Sequence, residues 1–293
     1  MDTLGQIFVN GLIAGSGYGL VGLSFGLIYA TTHFFHFAHG AVYTFAAYLA
    51  FALLTLAGLS AWISIPLAIL GAAIAGGFMD VFMYRPLRNR QAGPLILLLA
   101  SLGLFVVIQA CVSIAFGSNV HVLSSVIAGT TFSIFGGRIT SSQLITVIVA
   151  NSLFFGILAA LHTTRPGRIL RAVGSDPELA RIVGVEIDRI IPIVFGVGSA
   201  LAGIAALLAA YDTGLKPTMG FNALLFGVVA MIIGGIGNVP GAYLGGLLLG
   251  FAQQFGAWIL PSRWQDLIVY LILAFFLLLR PAGIAGRRSR AKV

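Results

Sequence analysis

The chain has 293 residues, of which 59% are hydrophobic and only 8% charged, and its mean hydropathy is +1.05. A soluble domain carries about 25% charged residues because its surface must face water, so this composition excludes a soluble enzyme. The formal charge of +8 calls for no nucleic-acid partner, because its placement along the chain is that of a membrane topology.

Taken in chain order, the first segment is free of charge: no Asp, Glu, Lys or Arg lies between Asp2 and Asp80. A membrane helix needs roughly 20 apolar residues, so this stretch holds three predicted spans, over residues 7–30, 37–56 and 62–84. The first lacks a basic leader and is too long for a signal-peptide core, so it reads as a retained helix. Further spans are predicted at 94–116, 141–161, 191–211, 222–236, 242–260 and 267–279. Cys111, the sole cysteine, falls in an apolar run and reads as a small core residue. The run Gly234-Gly235-Ile236-Gly237-Asn238-Val239-Pro240-Gly241 interrupts the seventh and eighth spans. It is either a tight loop between two full spans or the junction of a broken or re-entrant pair over 222–260. The expected fold is therefore an all-α polytopic membrane protein of eight to ten transmembrane helices, a single transmembrane domain over 1–293.

Thirteen of the sixteen basic residues fall in three segments: Arg85, Arg88 and Arg90; Arg165, Arg168, Arg171, Arg181 and Arg189; and Arg280, Arg287, Arg288, Arg290 and Lys292. Two and four predicted spans separate them, so all three can lie on one face, which the positive-inside rule makes cytoplasmic. Met1 is then expected outside and the C-terminus inside. Asp80, Asp212 and Asp266 fall at predicted span ends and read as interfacial charges.

The chain shows no engine of its own. Its two lysines, Lys216 and Lys292, follow no glycine-rich phosphate loop, and no paired intramembrane acids suggest an ion relay. It is read as a non-enzymatic subunit without cofactor, coupled through a partner. The docking surface is expected in the cytoplasmic loop over about 162–190. There Ser175 and Glu178 have capping-box spacing, Asp176 complements the helix dipole, and Gly184 suits the helix end. A short helix over 176–183 would bear Leu179, Ile182 and Val183 as apolar contacts, with Arg181 beside them. A surface helix resting on lipid headgroups has the same pattern.

Four segments carry a resemblance: Phe34-Phe35-His36-Phe37-Ala38-His39-Gly40 through Tyr48; Tyr84-Arg85-Pro86-Leu87-Arg88; Leu170-Arg171-Ala172-Val173 through Glu178-Leu179-Ala180 and Asp188-Arg189; and Gly234–Ala242 through Gly250. In this order the chain resembles, over nearly its whole length, the LivH-type permeases of branched-chain amino acid ABC importers. His36 stands where asparagine is usual. The resemblance implies an inner-membrane importer with a second, related permease subunit, two ATP-binding subunits that hold the ATP, and a periplasmic solute-binding protein. Its solute would be a branched-chain or other hydrophobic amino acid, although the family also includes urea and short-chain amide permeases.

Two features are candidates for the translocation path. Gly237, Gly241 and Gly245 have the spacing that lets membrane helices approach closely, and the break at Gly234, Gly235 and Gly237 can expose backbone only where it lines a cavity. A side chain at Gly237 is expected to overpack, whereas Gly58, near a predicted loop, should tolerate one. The polar residues at depth are His36, His39, Tyr43, Gln109, Asn151 and Gln253. Spacing puts His36 with Gly40 and His39 with Tyr43 on two faces of one helix, and His39 and Tyr43 are the preferred path candidates. Helix–helix hydrogen bonding is the alternative for each. A stand-alone carrier would need an ion relay, and a metal enzyme would need His33, His36 and His39 together, which their spacing spreads around the helix.

Overall fold

Residues 3–123 and 130–286 are described by the computed structural model. The first helix, α1 (Thr3–Thr32), is the spine of the bundle, and its residues 19–28 are all buried. Glycine makes this possible. Cβ atoms at Gly15 and Gly19 would meet the backbone of Leu247 and Tyr243 in α11 (Val239–Ile259), and those at Gly246 and Gly250 would meet the backbone of Gly19 and Gly15. In lipid, where apolar burial gives little drive, such backbone approach is a main source of helix–helix attraction.

α9 (Ile187–Thr213) packs on α1, and α2 (Ala38–Phe51) and α3 (Ala61–Met79) pack on α9 and on each other. Both α2 and α3 run on through π-helical turns, at Ala52–Leu56 and Asp80–Tyr84, the latter leading into α4 (Arg85–Asn89). α5 (Pro94–Phe116) and α6 (Ser141–Thr163) form the rim; each buries only 22% of its most apolar window, against 72% for α1. Local chemistry fixes their ends. Pro94 opens α5, Gly117 at φ +76° ends it, and a Thr140–Gln143 capping box starts α6. Between them stands a hairpin, β1 (Thr131–Ile134) and β2 (Gly137–Thr140), closed by Phe135 and Gly136 at φ +50° and +79°. Positive φ at both positions is the type I′ geometry that matches strand twist. Gln6 binds the Arg138 backbone through both amide atoms, so the start of α1 lies at this hairpin end.

At the opposite end, α6 passes into α7 (Arg165–Ser175) and α8 (Pro177–Ile182) before α9 returns. The segments 85–90 and 165–189 share this α7 end, since α3 runs antiparallel to α9, with Gly77 beside Pro192 and Gly203 beside Ala72. Of the third basic segment, Arg287, Arg288, Arg290 and Lys292 lie outside the described residues, as does Met1.

All nine predicted spans are helical, but they are not nine full spans. Among the described residues, six helices are long and apolar enough to cross a membrane. α10 (Met219–Gly234) and α11 meet at a 112° bend and together make up to a seventh, and α12 (Gln265–Leu279) has only 15 residues. The all-α membrane fold and the broken pair over 222–260 are as expected, while the count of eight to ten is not confirmed. Cys111 is exposed rather than part of the core. Asp80 is no surface charge either: it is fully buried, held by both terminal nitrogens of Arg88.

Candidate functional site

Two cavities flank α1, and it lines both. The first, about 440 Å³, opens near the hairpin end among α1, α2, α6, α9, α10 and α11. Its walls are Gly17, Tyr18, Leu20, Tyr43 and Ala205, with Asn10, Gln143 and Asp212 among its polar groups. The second, about 640 Å³, lies at the α7 end between Tyr29, Arg171, Ser175, Gly237 and Asn238.

Between them the chain is sealed. Gly22, Leu23, Ser24, Phe25 and Gly26 are all buried and face neither cavity. Ser24 Oγ lies 2.8 Å from the Val21 carbonyl, which accepts its hydroxyl hydrogen, and 2.8 Å from His39 Nε2, which ties α1 to α2. His36 Nδ1 pairs with the Tyr84 hydroxyl at 3.0 Å. α2 starts within the bundle, where the Phe37 N–H donates to Ser101 Oγ in the third turn of α5.

Each path candidate now has a place. His39 belongs to the seal, and Tyr43 forms part of the first cavity, its hydroxyl 3.4 Å from the Ala205 carbonyl. His36 precedes α2 and shares no helical face with Gly40, a correction to the spacing argument. Asn151 bonds the Val147 carbonyl of its own helix, and Gln253 accepts from the Tyr18 hydroxyl between α11 and α1. Gln109, half-buried, lines neither cavity.

The glycine break divides. Gly234 and Gly241 press backbone to backbone, and Gly235 meets residues 285–286. Of the break glycines, only Gly237 lines the α7-end cavity, together with Ile236, Asn238, Val239 and Pro240, and nothing lies within 4 Å of where its Cβ would be. The expected overpacking there is thus overturned. Its constraint is φ +80°, which Gly58 shares at +65°, also in open space. Asn238 accepts from the Gly241 N–H and starts α11. Ile284 and Ala285 donate their N–H groups to the Ile233 and Gly234 carbonyls, and Asn238 Nδ2 donates to the Ala285 carbonyl. This strap from residues 284–285 ties both sides of the bend.

At the α7 end, Thr164 caps α7, a second helix within the loop over 162–190. Ser175 ends α7 instead of opening α8, so the expected Ser175–Glu178 box is absent. Asp176 Oδ1 accepts from both the Glu178 and Leu179 N–H groups, each at 3.0 Å. Gly184, at φ +89°, closes the turn as expected. Leu179, Ile182 and Val183 stand 57%, 80% and 70% exposed, with Glu178 and Arg181 beside them.

A bundle of apolar helices around a buried spine, with separate cavities at its two ends, is a multi-span membrane protein built as a transport subunit. Residues 7–277 match the family described as the permease component of branched-chain amino acid transport systems. The chain is 34% identical to the high-affinity branched-chain amino acid transport system permease BraD of Pseudomonas aeruginosa, over 98% of this chain and 97% of that one. It is 32% identical to LivH of Escherichia coli K12, over 99% and 97%. A probable LivH of Methanocaldococcus jannaschii is 27% identical over 91% and 88%. The chain belongs to this branched-chain amino acid permease family.

Proposed function

We propose that the chain is a permease subunit of an ABC importer of the inner membrane, moving branched-chain or other hydrophobic amino acids. It works with a second related permease subunit, two ATP-binding subunits and a periplasmic solute-binding protein. The full-length match to permeases named for that transport system carries the reading. The sealed spine with a cavity at either end supports it, because such a path can open to one side at a time. Uptake of labelled leucine, isoleucine and valine by a strain lacking this chain, with and without its restoration, is the test. Restored uptake of urea or acetamide in place of leucine would replace the substrate class.

The α7 end is the cytoplasmic face in this reading, since the described basic segments gather there. Single cysteines at Arg90 and Arg181, in a Cys111→Ser background, should be labelled from the cytoplasmic side only. Labelling of either from the periplasm would invert the topology.

α8 is the proposed seat of an ATP-binding subunit, because its exposed Leu179, Ile182 and Val183 stand beyond the spans, on a helix fixed by its cap. Asp176→Ala removes that cap, at about 0.5–2 kcal/mol of local helix stability. The variant should insert normally, while solute-stimulated ATP hydrolysis by the assembled transporter falls several-fold. Parental hydrolysis would separate α8 from the coupling.

A further inference from the structure

Seven glycines lie on α1, and six have a visible reason to be glycine. A Cβ at Gly5, Gly11, Gly15, Gly19, Gly22 or Gly26 would come within 3.2 Å of a neighbouring element. Gly17 is the exception: nothing lies within 4 Å of its Cβ position, and the space beside it is the hairpin-end cavity. A glycine inside a helix is less favourable than alanine, and no packing at Gly17 offsets that.

The lining beside Gly17 has a definite chemistry. Leu20, Val21, Ala205 and Leu208 form an apolar wall. Among the described residues, Asp212, exposed next to the end of α9, is the one charged side chain in the lining, with the Gln143 side chain beside its carboxylate. Asn10 has its amide oxygen occupied by Gln6 Nε2 at 2.8 Å, which leaves its NH2 donors for a solute. The volume, about 440 Å³, lies within the range of roughly 300–1,000 Å³ usual for small-molecule sites.

We infer that this cavity is a solute-binding site inside this single chain, taking the protonated amine of an amino acid at Asp212 and its aliphatic side chain against Leu20 and Leu208, with Gly17 as the residue that keeps the space open. A neutral amide or urea has no ammonium to give Asp212 and no side chain for that wall. The inference rests on the transport reading above and adds where the solute pauses within the membrane.

The test uses the complete reconstituted transporter and labelled leucine. Gly17→Phe builds a ring from a Cβ position that has nothing within 4 Å, on the lining of the cavity, and leucine uptake should fall at least ten-fold. Gly156→Phe, at an exposed α6 glycine whose Cβ position is equally open, is the control and should transport like the parent. Asp212→Asn keeps the shape and removes the charge. Losing a hydrogen bond to a charged group should raise the half-saturating leucine concentration about ten-fold or more. Parental uptake by Gly17→Phe overturns the site, and so does an unchanged half-saturation in Asp212→Asn, even where Gly17→Phe fails to assemble. A parent transporter that takes up no leucine removes the transport reading itself. Parental leucine uptake with both variants unaffected removes this site alone.

Discussion

Gly246→Leu is expected to prevent the chain from accumulating in a folded state. Any Cβ at this position would run into the Gly19 amide nitrogen and Cα, and Gly250 faces Gly15 in the same way. Overpacking against side chains that can yield typically costs about 1–3 kcal/mol. Here the obstacle is backbone on the buried spine, so the loss should exceed that range. Gly237→Leu is the informative contrast. It meets only left-handed strain, about 1–2 kcal/mol, and should insert and assemble. The measurement is the membrane-inserted, detergent-extractable amount of each variant and its thermal unfolding midpoint. Parental amounts of Gly246→Leu would mean that α1 and α11 do not touch through backbone.

Arg88→Ala is expected to be the most damaging change among the charged residues. Asp80 has no exposed side-chain surface, and Arg88 grips both its oxygens while remaining 21% exposed itself. Removing the cation strands a buried carboxylate, a loss of about 3–5 kcal/mol. Arg88→Lys should recover only part of it, because an ammonium cannot make the two parallel bonds of a guanidinium. Replacing both partners, as in Asp80→Leu with Arg88→Leu, should be milder than Arg88→Ala alone, because no charge is then buried unpaired. Thermal unfolding of the three purified variants gives the order. A double variant less stable than Arg88→Ala would contradict this account.

The helices were legible because membrane spans announce themselves locally. The predicted 94–116 matches α5 at both ends, since Gly93-Pro94 and Gly117 punctuate an unbroken apolar run. What failed was whatever depended on partners distant in sequence. Ser24 and His39 are 15 residues apart and His36 and Tyr84 are 48 apart, and no spacing rule reaches that far. The Gly237/Gly241/Gly245 pattern assumed one continuous helix. The helix instead starts at Val239, so Gly237 falls outside the seam while Gly241 and Gly245 stay in it. At α8, Ser175 had the right spacing to cap but the helix of α7 had already claimed it, and Asp176 took the role. The hairpin left a trace in Phe135-Gly136-Gly137, too short to compete with the flanking spans. Asp80 looked interfacial because its partner is two turns away along a helix that continues past the predicted span end. In the lining of the hairpin-end cavity, Tyr43 was singled out from the sequence, whereas Gly17 was not, since nothing in a run of glycines tells which one faces empty space.

The strap across the α10–α11 bend also bears on how the protein is made. Membrane chains emerge from the ribosome N-terminus first, so α10 and α11 are complete while residues 284 and 285 are still to come. Until they arrive, the Ile233 and Gly234 carbonyls lack the N–H partners they have in the finished fold. Unpaired backbone carbonyls are costly wherever water is scarce. The strap's hydrogen bonds are therefore a late event of biogenesis, formed only when synthesis has passed α12, and Ala285, which also lines the α7-end cavity, arrives with them.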